Sequence, residues 1–127
     1  MISTNDEKHF RSALAMAYFG EHRVRVGAIA AIKSTRICGA FNTHRNLPTV
    51  AYPNCTTHAE MNALDGIPYG KWRQVTFYVA RISKAGKTMP SKPCRRCMNK
   101  LSFMSIKYVV YFDGKNLVKE VPYVEPG

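Results

Sequence analysis

Two short motifs constrain this chain more than anything else in it: His58-Ala59-Glu60 and Pro93-Cys94-Arg95-Arg96-Cys97. Each opens a stretch that reads as helix, residues 57–64 and 94–104, and one strongly apolar β-type stretch, 75–82, lies between them. If the motifs act together, two helix starts must meet in space, and the strand between them must carry the chain from one to the other. A helix–strand–helix passage of that kind belongs to a layered α/β body.

The residue types give the motifs a reason to meet. A catalytic zinc takes three nitrogen, sulfur or oxygen ligands and keeps one position for water. His58, Cys94 and Cys97 form such a set. Cys94 and Cys97 are three apart and share one face of a helix, at a helix start whose N–H groups and dipole favour an anionic ligand. Glu60, two residues past His58, is close enough to reach the water without being a ligand. Its task would be to take the water's proton and pass it to a ring nitrogen and a leaving amine.

Each half has a plainer alternative. Thr57 and Glu60 fit a capping box, and taken alone that is the simpler account of Glu60. A Cys-x-x-Cys alone also suits a structural zinc or a redox pair. The structural site needs a fourth ligand, for which His44, Cys38 and Cys55 are candidates. A redox pair should follow a strand, and here a long loop intervenes. What decides is the conjunction: His-x-Glu followed by Pro-Cys-x-x-Cys is the signature of zinc-dependent nucleobase deaminases.

The remaining sequence supplies the framework. Ser3 and Thr4 can cap a first helix, with Asp6 and Glu7 in its first turn and Phe10, Ala13, Leu14, Ala17 and Tyr18 at helical spacing up to Gly20. Residues 24–32 and 37–41 read as strands joined by a tight turn near Ser34-Thr35, and 42–55, with two prolines and three asparagines, as a loop. Residues 84–93 form a basic loop, 107–112 a buried strand, and Asp113-Gly114 a hairpin turn to a last strand at 117–121. With no repeat and no linker, residues 1–127 read as a single domain. Helices alternating with strands imply a partly parallel sheet, whose last two strands are antiparallel because so short a turn allows no crossover.

Charge bears on the partner. The chain has nineteen basic and eight acidic residues, a net charge of +11, and no acid at all between Gly66 and Phe112. Such a body attracts phosphate, on a nucleotide or on a nucleic-acid strand. The plain alternative is a generally basic surface. No apolar run is long enough to span a membrane, and the start, Met1 to Lys8, lacks the pattern of a signal peptide. The expected location is therefore the cytoplasm, where four cysteines serve better as metal ligands or buried thiols than as disulfides.

The motifs resemble the cytidine and deoxycytidylate deaminase superfamily. Thr57-His58-Ala59-Glu60-Met61-Asn62-Ala63-Leu64 is similar to the deoxycytidylate deaminase form, and Lys92-Pro93-Cys94-Arg95-Arg96-Cys97 to the second half of its zinc site. Ser105 to Tyr111 resembles the strand that follows there, and Gly39-Ala40-Phe41-Asn42 the end of its second strand. The resemblance implies a three-layer α/β/α fold with a five-stranded mixed sheet and Zn2+ as cofactor. It also implies Asn42 on the substrate's sugar, Ala59's backbone N–H near its carbonyl edge, and a homo-oligomer. One feature departs from the deoxycytidylate form, which places a helix between the last two strands. The short turn here is closer to the cytidine deaminases and to several deaminases of polynucleotides, yet free-cytidine enzymes usually carry cysteine where this chain has His58.

Three readings follow. The first is hydrolytic deamination of cytosine to uracil in a cytidine or deoxycytidine nucleotide, with Lys92 or Arg45 on the phosphate. The second is deamination of cytosine or adenine in single-stranded DNA or RNA, with stacking aromatics among Tyr52, Tyr69, Trp72 and Phe103. For most of these aromatics core packing is the simpler account. The third is a non-enzymatic zinc module that binds nucleic acid, with a closed four-ligand site.

Overall fold

The computed structural model describes residues 2–19, 25–41 and 69–124. Helix α1 spans Thr4–Ala17 and starts where the sequence places it. Ser3 is its N-cap: the Ser3 hydroxyl accepts from the Asp6 N–H at 3.0 Å, and the Asp6 carboxylate accepts from the Ser3 N–H at 2.9 Å. Asp6 thus plays the part usually taken by Glu in a capping box.

Five strands form the main path of the sheet: β1 (Arg25–Ile32), β2 (Thr35–Phe41), β3 (Thr76–Ile82), β5 (Tyr108–Phe112) and β6 (Leu117–Glu120), in the order β2-β1-β3-β5-β6. The expected mixed sheet is present, with β3 and β5 parallel and β5 and β6 an antiparallel hairpin. Asp113 makes that hairpin: its carboxylate accepts from the N–H groups of Lys115 and Asn116, which hold it below the usual carboxylate range. Two elements were not expected. A two-residue strand, β4 (Thr88–Met89), lies in the stretch read as a plain loop and brings the sheet to six strands. A 3-10 helix covers Tyr69–Gln74.

The second described helix, α2 (Arg95–Phe103), connects β3 to β5. It closes on Ser105, a non-glycine residue at φ 59, with Ser105 N–H bonded to Ser102 O and Ile106 N–H to Leu101 O, a Schellman ending.

Two cores lie on opposite sides of the sheet. One joins Phe10 and Ala13 of α1 to Ile29, Ala31, Tyr78, Ala80 and Val110. The other joins Met98 and Leu101 of α2 to Ala28, Ala30, Phe77, Val79 and Val109. Successive strand residues alternate between the two sets, as the pleat requires, and the result is the expected α/β/α layering. Helix α1 packs onto the backbone of β1 itself: a Cβ at Gly27 would sit 2.1 Å from Ala13 O and 2.4 Å from Ala17 N, so only glycine fits.

A buried polar group fastens α1 to the sheet. Asp6, 3% exposed, accepts from the Tyr78 hydroxyl on β3 at 2.6 Å and from Lys119 Nζ on β6 at 3.0 Å. Next to it, buried His9 donates from Nε2 to Lys33 O in the β1–β2 turn at 2.9 Å and leans on the Tyr78 ring. Burial pushes the Asp6 carboxyl up, but the hydrogen bonds from Tyr78, Ser3 and Lys119 together outweigh it and hold it below 3.8. Asp6→Ala should cost about 3 kcal/mol of unfolding free energy near neutral pH, since it strands a buried hydroxyl and an ammonium. Because the native carboxyl is lowered, that contribution is present above the unfolded value of 3.8 and is lost as pH falls through the native value. Urea denaturation of both proteins at neutral and acid pH measures it; an equal gap at both would contradict the assignment.

Candidate metal centre

The route from β3 to α2 determines where Cys94 and Cys97 stand. After Ile82 the chain turns tightly, with Gly86 at φ 82 and its N–H bonded to Ser83 O. It then runs back as β4 along Ile82 and Arg81. Strand β1 occupies one edge of β3 over its whole length. The other edge is divided: β5 pairs with Thr76, Phe77 and Tyr78, and β4 with Arg81 and Ile82.

Between these two pairings sits Ser91, 3% exposed. Its hydroxyl donates to Val79 O on β3 at 2.7 Å and accepts from the Phe112 N–H on β5 at 3.0 Å. Its own N–H bonds to Phe112 O at 2.8 Å. Ser91 therefore bridges β3 and β5 where their own ladder has ended, and it fixes the chain three residues before Cys94.

Cys94 is the N-cap of α2, with extended backbone (φ −64, ψ 162), and its carbonyl accepts the first helical bond, from the Met98 N–H at 2.8 Å. Its side chain makes no capping hydrogen bond and is exposed. Cys97, in the first turn, is 2% exposed and lies on the face that also buries Met98 and Leu101. Neither forms a disulfide. Cys94 is exposed and Cys97 buried, both at a helix start. This is the donor chemistry of a Cys-x-x-Cys metal site, so zinc fits the residues present. Among the described residues no group of three His, Cys, Asp or Glu side chains stands together, and His58, the third ligand expected from the sequence, lies outside them.

Aromatic and charged groups flank this end of α2. Tyr111, 5% exposed, donates to Glu120 Oε1 at 2.9 Å, and burial together with that carboxylate pushes its hydroxyl up to about 12. Lys92, exposed two residues before Cys94, lies 5.2 Å from the centre of the Tyr123 ring.

His58, Ala59, Glu60 and Asn42 lie outside the described residues, as do His44, Arg45, Tyr52, Cys55 and the stretches 42–55 and 57–64. Cys94 and Cys97 stand at the helix start where the sequence puts them. Ser91 carried no motif: its one outward sign is a polar residue between Pro90 and Pro93 in a basic segment.

Comparison with known proteins agrees with this architecture. Residues 3–113 match the family described as the cytidine and deoxycytidylate deaminase zinc-binding region. No curated protein matches the sequence. Among solved structures, a cytidine deaminase from Burkholderia pseudomallei superposes with TM-score 0.67 at 16% identity, covering 91% of each chain. A cytidine deaminase from Mycobacterium tuberculosis gives 0.55 at 18%, over 85% of this chain and 84% of that one. A dCMP deaminase from cyanophage S-TIM5 gives 0.55 at 20%, over 81% and 78%. At such identities the likeness establishes the fold.

Ser91→Ala removes the bridge between Val79 and Phe112. It should cost about 1–3 kcal/mol of stability and, by loosening the approach to Cys94, weaken zinc binding about 10-fold. Chelator competition measures the second effect; unchanged zinc affinity in a destabilised variant would confine Ser91 to holding the sheet.

Proposed function

The chain belongs to the family of the cytidine and deoxycytidylate deaminase zinc-binding region, and from that membership we propose that it hydrolyses cytosine to uracil in a cytidine or deoxycytidine nucleotide, releasing ammonia. The observation that carries the reading is the pairing of Cys94 and Cys97 at the start of α2. Helix α2 begins beyond the carboxyl end of β3 and leads to β5, its parallel partner. Ligands in open α/β sheets gather at that end of the strands.

His58, Cys94 and Cys97 are the proposed zinc ligands. Zinc so held supplies a water acidic enough to attack at neutral pH the ring carbon bearing the amino group. Glu60 takes the water's proton and delivers it to the adjacent ring nitrogen. It would then take the remaining proton from the added oxygen and pass it to the amino group, which departs as ammonia while that oxygen becomes the carbonyl, so that water and cytosine are converted to uracil and ammonia with no other reactant. The backbone N–H of Ala59 faces the base's carbonyl edge and Asn42 holds the sugar. Lys92, exposed beside Cys94, offers a positive charge to a phosphate. Asn62-Ala63 after His58-Ala59-Glu60 supports the nucleotide form of the substrate.

Glu60→Gln separates this from a zinc module that only binds. The variant should keep its zinc while deamination falls by about 10²–10⁴-fold, read as ammonia release from deoxycytidine monophosphate and cytidine monophosphate. Deamination at the unmutated rate would remove Glu60 from the role. A zinc-loaded unmutated protein that deaminates no cytosine compound, free or in a strand, would overturn the enzymatic reading.

A further inference from the structure

We infer that Arg81 holds the phosphate of a nucleotide substrate and so sets the preference for nucleotide over nucleoside at the centre built on Cys94 and Cys97. This contact deepens the nucleotide reading of the site and rests on it for the phosphate.

Arg81 pairs with Val26 on β1 and with Met89 on β4. By the alternation of the strand it shares the face of Phe77 and Val79, the face that α2 covers. Ser91 relates it to the cysteines. The Ser91 hydroxyl is bonded to Val79 O at 2.7 Å. Arg81 is two residues past Val79 along β3, and Cys94 is three residues past Ser91. Both therefore stand just beyond one point of the sheet, on the α2 face. The rows of the sheet add the sugar side. Strand β2 ends at Phe41, which pairs with Gly27, which pairs with Ala80. Val26 and Arg81 form the next row outward, and Asn42, the proposed sugar ligand, is the next residue after Phe41 in the sequence. Only β1 separates β2 from β3, a distance of about 10 Å. A sugar at the end of β2 leaves its phosphate within reach of a long side chain on β3.

The guanidinium itself asks for an anion. Arg81 Nε is buried and has no hydrogen-bond partner. The run from Gly66 to Phe112 contains no acid to pair with it. A buried donor without a partner is costly, and the planar guanidinium fork matches phosphate oxygens. Lys92 approaches from the other side, with its ammonium over the Tyr123 ring, whereas Arg81 lies toward β1. Arg25 provides the control. Its Nε is likewise buried without a partner, but it pairs with Ile82 and falls on the α1 face.

Two pairs of compounds that differ only by a phosphate test the assignment on the zinc-loaded protein. Deoxycytidine monophosphate and deoxycytidine are compared by ammonia release, and deoxyuridine monophosphate and deoxyuridine by calorimetric binding. In Arg81→Gln the ratio of kcat/KM for the nucleotide to that for the nucleoside should fall about 10–100-fold, through KM, as expected for one charge-assisted contact. Arg81→Lys should recover part of the ratio, and Arg25→Gln should keep it. Deoxyuridine monophosphate should bind the unmutated protein more tightly than deoxyuridine and lose that advantage in Arg81→Gln. An unchanged ratio in Arg81→Gln, or an equal fall in Arg25→Gln, would overturn the assignment. The calorimetric arm needs no turnover. A protein that deaminates nothing but loses its phosphate advantage in Arg81→Gln would sink the deaminase reading and keep Arg81 on the phosphate.

Discussion

The parallel pairing of β3 with β5 is the constraint from which the rest follows. Parallel neighbours cannot be joined by a tight turn; the chain must leave the sheet, travel back over one face and re-enter. Helix α2 is that return, and it starts after the chain has left β3 and run back briefly along its carboxyl end as β4. Cys94 and Cys97 occupy its first residues, so the topology sets the two sulfurs beside the end of the sheet where ligands collect. The same pairing ends early, at Tyr78 and Val110. Beyond it the edge of β3 would lack partners, and Ser91 and β4 supply them. Completing the sheet and holding the approach to Cys94 are thus one piece of local structure.

The opposite face is fastened differently. Helix α1 approaches β1 through Gly27, Ala13 and Ala17 with almost no side-chain volume between them. At its start the Asp6, Tyr78 and Lys119 contacts join α1 to both β3 and β6. A buried carboxylate is costly without partners, and here hydroxyl, ammonium and backbone N–H satisfy it together.

Much of this was legible in the sequence because it rests on periodicity and local chemistry. The cap at Ser3, the helix start at Cys94, the apolar strand ending at Ile82 and the turn at Asp113-Gly114 all announce themselves within a few residues. The antiparallel final pair followed from turn length alone. What stayed hidden depends on partners distant in the chain. Asp6 reads as a first-turn acid, and nothing near it in sequence points to Lys119, which is 113 residues away. Ser91 reads as one polar loop residue, because its role exists only once β3 and β5 lie side by side. Strand β4 is two residues long, too short for any pattern. At the candidate site Cys94 and Cys97 were readable from spacing, whereas Phe103, read mostly as core, is exposed because it falls on the outward side of α2.

X-ray absorption at the zinc edge of the purified protein tests the central claim most directly. The account predicts two sulfur neighbours at about 2.3 Å, one imidazole nitrogen at about 2.0–2.1 Å and one further light atom from solvent, with one sulfur lost in Cys94→Ala and the imidazole lost in His58→Ala. A closed shell of four protein ligands, or zinc bound without sulfur, would contradict it.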